Sequence, residues 1–412
     1  LDNIISIFCI YLDHILHLNI NYDTIANIMS STKTEDLIEI INKKYDLSPS
    51  HGFLPEHPMQ MSIRSPYNKF HTICLILPQL IESHQIQYIV DTMDVVTIDQ
   101  ETTDIEYKML YCMLCVIQTG YIWHNGEGLH NKFIPKQLSI PLDIVSRYLR
   151  IPPILTHASL DLYNWNLIDK NAPFTLSNLV SIFPITGDKS EAAFSLIIVV
   201  LEHLGRDSLT EIIRLYVGLP NEEQIMAGFK IISHGLSIMI DVMNQMYELC
   251  DAGFFYNKFR IFLAGWTNET LFPDGMQLED IGQNIRYNGG SAAQFSMIQV
   301  FDIFFGVQHK NNFLRNMREY MPGAHRDFLV WLESMPNCNR LLTNSTIIEL
   351  HTECITKLST FRSVHMGFIH HYIIGQASKA TTNSAIATEG TGGSNLITML
   401  KEFRQETDDV KR

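Results

Sequence analysis

The segment Phe361-Arg362-Ser363-Val364-His365-Met366-Gly367-Phe368 sets a histidine between two aromatic residues and an arginine. On a helix, Phe361, Arg362, His365, Phe368 and Ile369 share one face, because residues three and four apart are neighbours. An imidazole in that company suits a haem. The ring nitrogen takes the axial position on iron, the aromatics cover the porphyrin, and the guanidinium pairs with a propionate. The plainer alternative is a hydrogen-bonded core histidine, one of 17 histidines in the chain. Spacing alone leaves both readings standing.

Two further segments gain meaning beside that one. Gly289-Gly290-Ser291-Ala292-Ala293-Gln294 offers small residues entering a helix, where backbone can approach a flat ligand; a plain turn with Ser291 as N-cap explains it equally. Phe254-Phe255-Tyr256-Asn257-Lys258-Phe259-Arg260 puts Tyr256 and Arg260 one turn apart, a fit for an aromatic molecule bearing a carboxylate, or else an aromatic stripe with a surface arginine. Signatures of other chemistries are missing. Gly126-x-Gly128 lacks a third glycine and a preceding strand, and neither His-Glu-x-x-His nor Gly-x-Ser-x-Gly occurs. Asp99, Glu101, Asp104 and Glu106 read as a solvated face, so phosphoryl transfer and hydrolysis are not indicated.

These residues need elements to hold them, and the apolar periodicity is helical nearly throughout, as in Ala192–Leu204 and Glu222–Leu249. Breakers fall at 48–55, at Ile151-Pro152-Pro153 and at Phe183–Asp188. The expectation is an all-α, two-domain protein. Residues 1–40 form an extension without assigned role, 41–185 a small helical domain contributing one wall of the distal pocket, and 186–412 a large domain holding the site. Within the latter, 377–395, rich in Ser, Thr, Ala and Gly, reads as a mobile loop before a last helix from Leu396 to about Glu406.

The 412 residues carry 30 Lys+Arg against 44 Asp+Glu, a net charge of −14, which disfavours nucleic acid and anionic membrane as partners. No stretch reaches the roughly 18 apolar residues of a spanning helix; the nearest candidate is 109–123, and 4–18 does not read as a signal peptide. Seven scattered cysteines argue against a disulfide framework. Cys112-x-x-Cys115 reads as core packing, and a reducing, cytoplasmic location is expected.

Taken in order, the chain resembles the indoleamine 2,3-dioxygenase family. The series runs Gly52-Phe53-Leu54-Pro55, Ile151-Pro152-Pro153-Ile154-Leu155 through Asn164-Trp165, Arg260-Ile261-Phe262-Leu263-Ala264-Gly265-Trp266, and Gly289–Gln294. It continues with Phe301-Asp302 and Phe313–Arg326, and closes with Arg362-Ser363-Val364-His365 and Gly390-Thr391-Gly392-Gly393. The resemblance implies an all-helical haem b enzyme that inserts both atoms of O2 across the indole C2–C3 bond of L-tryptophan, and of other indoleamines if it admits them, giving N-formylkynurenine. This is the first step of tryptophan catabolism, and a donor that reduces the iron is implied.

By position, His365 would be the iron ligand and Arg362 the propionate partner, with Gly290, Ser291 and Ala292 packed against haem and substrate. Phe255, Tyr256 and Phe194 would line the distal pocket, Arg260 would hold the substrate carboxylate, and Thr391 would close over the amino-acid end. The chain departs from the family where a distal serine is common: Ile198, or Ile197 with a one-residue slip, stands there. A side-chain general base from that helix is therefore not expected, and Ser195 is expected to point elsewhere. His157, Leu160 and Asp161 occupy a wall more often tyrosine and apolar in relatives; the two polar residues are expected to face solvent rather than alter substrate preference. The competing functions are an O2-binding, myoglobin-like haem protein derived from this family, and a helical scaffold without cofactor.

Overall fold

The computed structural model describes residues 33–60, 62–279, 282, 284–379, 390 and 396–412. Its main helices are α1 (Thr34–Lys44), α2 (Asp104–Trp123), α3 (Lys136–Leu149), α4 (Lys189–Leu204), α5 (Arg206–Val217), α6 (Glu222–Asn244), α7 (Ser296–Phe305), α8 (Ser345–Phe368) and α9 (Leu396–Asp408). Among the described residues the strands are short: β1 (Phe133–Ile134), β2 (Trp165–Leu167), β3 (Leu179–Ser181), β4 (Met276–Leu278) and β5 (Asn284–Ile285). β4 pairs parallel with β1 and antiparallel with β5, and β2 pairs antiparallel with β3. The fold is all-α, as its helical periodicity requires.

Helix starts are written in the local sequence. Thr103 and Glu106 form a capping box at α2, and Asn221 and Gln224 another at α6. Asp188 accepts from Ser190 N at 2.7 Å to open α4, and Asn344 accepts from Ile347 N at 3.0 Å to open α8. From Met109 onward α2 is buried on every side, the mark of a helix at the centre of a core. Cys112 and Cys115 lie in that core, and the six described cysteines are free and buried.

By length and composition Glu222–Leu249, rather than 109–123, is the stretch that could cross a membrane. Its stripe of Ile225, Phe229, Ile232, Leu236, Met239 and Met243 is buried instead, and the helix packs against α8.

One continuous apolar cluster runs from Leu37 on α1 to Phe403 on α9. α1 spans position 40 and packs on α5, with Arg214 reaching Glu35 at 3.3 Å. The turn before α4 is fastened by a buried carboxylate. Glu191 accepts from the backbone N–H of Ile185, Thr186 and Gly187 at 2.6, 2.7 and 3.0 Å. Expectations placed on 1–32, and on the 377–395 loop at 380–389 and 391–395, lie outside the described residues.

Candidate active site

A cavity of about 240 Å³ opens between α8 and α9 on one side and α4 with the 255–263 and 290–295 segments on the other. α8 contributes Phe361, Arg362, His365 and Phe368, followed by Ile369, the helix face read from the sequence. α9 adds Met399, Leu400 and Phe403, and α4 adds Phe194, Ile197, Ile198 and Leu201. Phe255, Arg260, Gly290, Ser291 and Ala292 complete that wall with His157, Leu160 and Asp161. Three π-helical turns, Ala158–Leu162, Phe255–Phe259 and Ile369–Ile374, each place a residue on the cavity. Such turns concentrate at functional sites because the extra residue re-aims side chains.

The His365 ring makes no hydrogen bond among the described residues. Burial, helped by the Arg362 charge, pushes it down to about 4, so the ring is neutral at physiological pH with a lone pair to give. Arg362 is buried and donates through Nη2 to Asp302 at 2.6 Å, while its Nε has no partner among the described residues. Burial works against the Asp302 charge, but Arg362 and His309 outweigh it and hold the carboxyl below its usual range. His309 continues the chain, bonding Asp302 at 3.0 Å and Glu406 of α9 at 2.7 Å. Burial opposes its charge too, yet Asp302 and Glu406 raise its pKa. The network ties the last helix to the arginine beside His365.

These features fit a haem. A neutral imidazole faces an apolar hollow, a buried guanidinium beside it has an Nε–H without a partner among the described residues, and a Cβ placed on Gly290 would meet nothing within 4 Å. Gly289 needs its bareness for another reason. A Cβ there would lie 2.0 Å from Leu263 O, so the 289–295 segment can dock against 255–263 only without one. Thr119 of α2 anchors the same segment, donating to Phe262 O at 2.6 Å.

Phe255 and Phe194 pack with ring centroids 5.1 Å apart. Arg260 is buried, with its guanidinium 5.8 Å from the Tyr256 ring centroid; Tyr256 supports that residue and is not itself on the cavity wall. Ser291 accepts from Ala293 N at 3.3 Å and caps a 3₁₀ turn, Ala292–Gln294, ahead of α7. Both Ile197 and Ile198 line the cavity, while Ser195 is buried and does not. Thr391 lies outside the described residues, and of its glycine-rich loop Gly390 reaches the cavity.

The solvent-facing expectation for His157 and Asp161 is overturned. They are 6% and 2% exposed, because His157 Nδ1 bonds Asp161 at 2.7 Å and Nε2 bonds Glu202 at 2.9 Å. Burial disfavours the charged ring, but the two carboxylates win and raise it to about 9. Glu202, Asp302, His309 and Glu406 were not assigned roles from the sequence. The signal for Glu202 was an acidic residue inside the apolar run 196–204.

The profile of the indoleamine 2,3-dioxygenase family matches residues 41–410. The chain is 30% identical to an indoleamine 2,3-dioxygenase 2 of Mus musculus over 380 residues, covering 88% of this chain and 94% of that protein. It is 30% identical to the indoleamine 2,3-dioxygenase of Saccharomyces cerevisiae over 420 residues, 89% and 92% of the two chains. A 6-hydroxytryptophan 2,3-dioxygenase of Fusarium equiseti is 26% identical over 398 residues, 90% and 98%.

Proposed function

The chain belongs to the indoleamine 2,3-dioxygenase family of haem-dependent oxidoreductases, and from that premise we propose that it binds haem b through His365 and converts L-tryptophan and O2 to N-formylkynurenine. The observation that carries this reading is a neutral imidazole facing an apolar cavity beside a buried arginine, with the ring and the arginine Nε–H both unbonded among the described residues. Bound ferrous haem supplies the spin-forbidden oxygen chemistry that no side chain can perform.

The protein's own residues do the positioning. Arg362 would pair with a propionate, and Gly290, Ser291 and Ala292 would leave room for flat rings. Arg260 pairs with the substrate carboxylate and sets its register. Phe255 and Phe194 would pack against the indole and keep water out, with Leu160 and Ile198 closing the wall. α4 brings no hydroxyl to the cavity, so the reading uses no side-chain base from that helix. Thr391 would cover the amino-acid end. The reading includes a cytoplasmic location, an electron donor for the iron, and a division at about residue 185 between a small wall-forming domain and a large haem-holding one.

The test is anaerobic reduction of the haem-loaded protein, then addition of L-tryptophan and O2 with absorbance followed in the N-formylkynurenine band. Product formed with matching O2 consumption supports the reading. Reversible O2 uptake without product would instead make this an oxygen-binding relative, and no Soret absorbance after loading would make it a scaffold.

A further inference from the structure

The chain of side chains behind Arg362 is longer than one arginine needs for a partner. Asp302, on α7, accepts from Arg362 Nη2 at 2.6 Å, and Arg362 Nε stays without a partner among the described residues. On its far side Asp302 faces His309 Nε2 at 3.0 Å, and His309 Nδ1 faces Glu406 of α9 at 2.7 Å. A neutral ring carries one N–H, so with both acids ionised only the imidazolium serves both. Arg362, Asp302, His309 and Glu406 then alternate in charge and cancel. The cancellation is complete only when α9 is in place.

α9 meets the same site in a second way. Met399, Leu400 and Phe403 line the cavity. The Phe403 ring packs edge-on against His309 with centroids 4.8 Å apart, and its centroid lies 5.9 Å from the Arg362 guanidinium carbon. Through its other oxygen Glu406 accepts from Lys310 N at 3.0 Å, which fixes the carboxylate against the segment that follows α7. One helix therefore covers the cavity and also completes the charge chain that ends on the arginine. Buried ion pairs return little stability for the desolvation they cost, so a chain of this length points to positioning.

We propose that His309 and Glu406 are positioning residues for the haem: acting through Asp302 they hold Arg362 where it would pair with a propionate, and so make docking of α9 and retention of haem one coupled event. The inference rests on the haem-binding reading above and deepens it.

The experiment follows haem transfer from the ferric, haem-loaded protein to excess apomyoglobin by the Soret band. Glu406→Gln keeps an acceptor for Lys310 N but removes the charge. It should speed haem loss about tenfold or more, within the usual range of coupling between two sites, and His309→Gln should do the same. In an Arg362→Met background Glu406→Gln should add little, because the chain then has nothing to hold. A helix acting only as a cover would give the full increment in both backgrounds. By reciprocity, haem should slow amide exchange across wild-type α9 by about the same factor, and Glu406→Gln should abolish that protection. If the variants fail to fold, the wild-type exchange decides alone, protection by haem supporting the inference and equal exchange overturning it. Unchanged haem loss in Glu406→Gln, or full additivity with Arg362→Met, overturns it while the parent reading stands. A protein that takes up no haem overturns both.

Discussion

His365 and His157 line the same cavity and end in opposite charge states. One has no acidic neighbour bonded to it and is held neutral, pushed down to about 4; the other lies between two carboxylates and is raised to about 9. Burial disfavours the imidazolium in both, so partners decide the charge. The two walls thereby divide the labour. The α8 side keeps a nitrogen lone pair available for a metal, while the opposite side fixes a charged cluster where a substrate ring would lie.

The division breaks if the clusters do not behave separately. Glu202→Leu removes one of the two carboxylates that hold the His157 charge and strips Ser296 N of its acceptor. Losing a member of a buried ionic group costs about 3–5 kcal/mol. Urea unfolding should show that loss while haem content per folded molecule stays at the wild-type level, and a fall in haem content would mean that the walls are coupled. Arg260→Ala should weaken substrate affinity about a hundredfold, the scale of truncating a buried charged partner, again with haem retained. Unchanged affinity by spectral titration would remove Arg260 from the substrate's carboxylate end.

Proton linkage sharpens the contrast further. The folded value of His157 lies above the ordinary histidine value of about 6.5, so its stabilisation is complete below that pH and is lost as pH rises through about 9. The folded value of His365 lies below it, so the unfolded chain takes the proton first and stability falls as pH drops from 6.5 toward about 4. His203 and His351, pushed down to about 3 and about 4, add to the same acid limb. The haem-free protein should therefore be most stable near neutral pH. His365→Leu should shallow the acid limb alone and Glu202→Gln the alkaline limb alone; a variant that flattens both would show that the titrations are not local. The smallest effect belongs to Thr119→Val, which strands Phe262 O and should cost about 1 kcal/mol in unfolding free energy.

Much of the proximal wall could be read in the sequence, because it is local. Four residues of α8 and the one that follows it, spaced by three and four, arrive on one side with no help from elsewhere, and the three- and four-residue periodicity of α4 and α6 reads in the same way. The distal cluster could not be read so. His157 and Glu202 are 45 positions apart, so their pairing exists only after packing, as does that of Asp302, His309 and Glu406 behind Arg362 on the proximal side. Judged by sequence neighbours, two polar residues in a wall look like solvent-facing ones; a carboxylate delivered by α4 is what lets them stay inside. Tyr256 was misjudged in the related way. The π-helical turn at Phe255–Phe259 aims Phe255 at the cavity and leaves Tyr256 under Arg260.

Chemical rescue of His365→Gly probes the iron-binding role of residue 365 most directly. The variant is loaded with haem in the absence and presence of imidazole, and the Soret band is measured after removal of unbound haem. The account predicts little retained haem without imidazole and recovery toward the wild-type band with it, since the free ring re-enters the space the side chain left. A variant that holds haem with the wild-type spectrum, indifferent to imidazole, would contradict it.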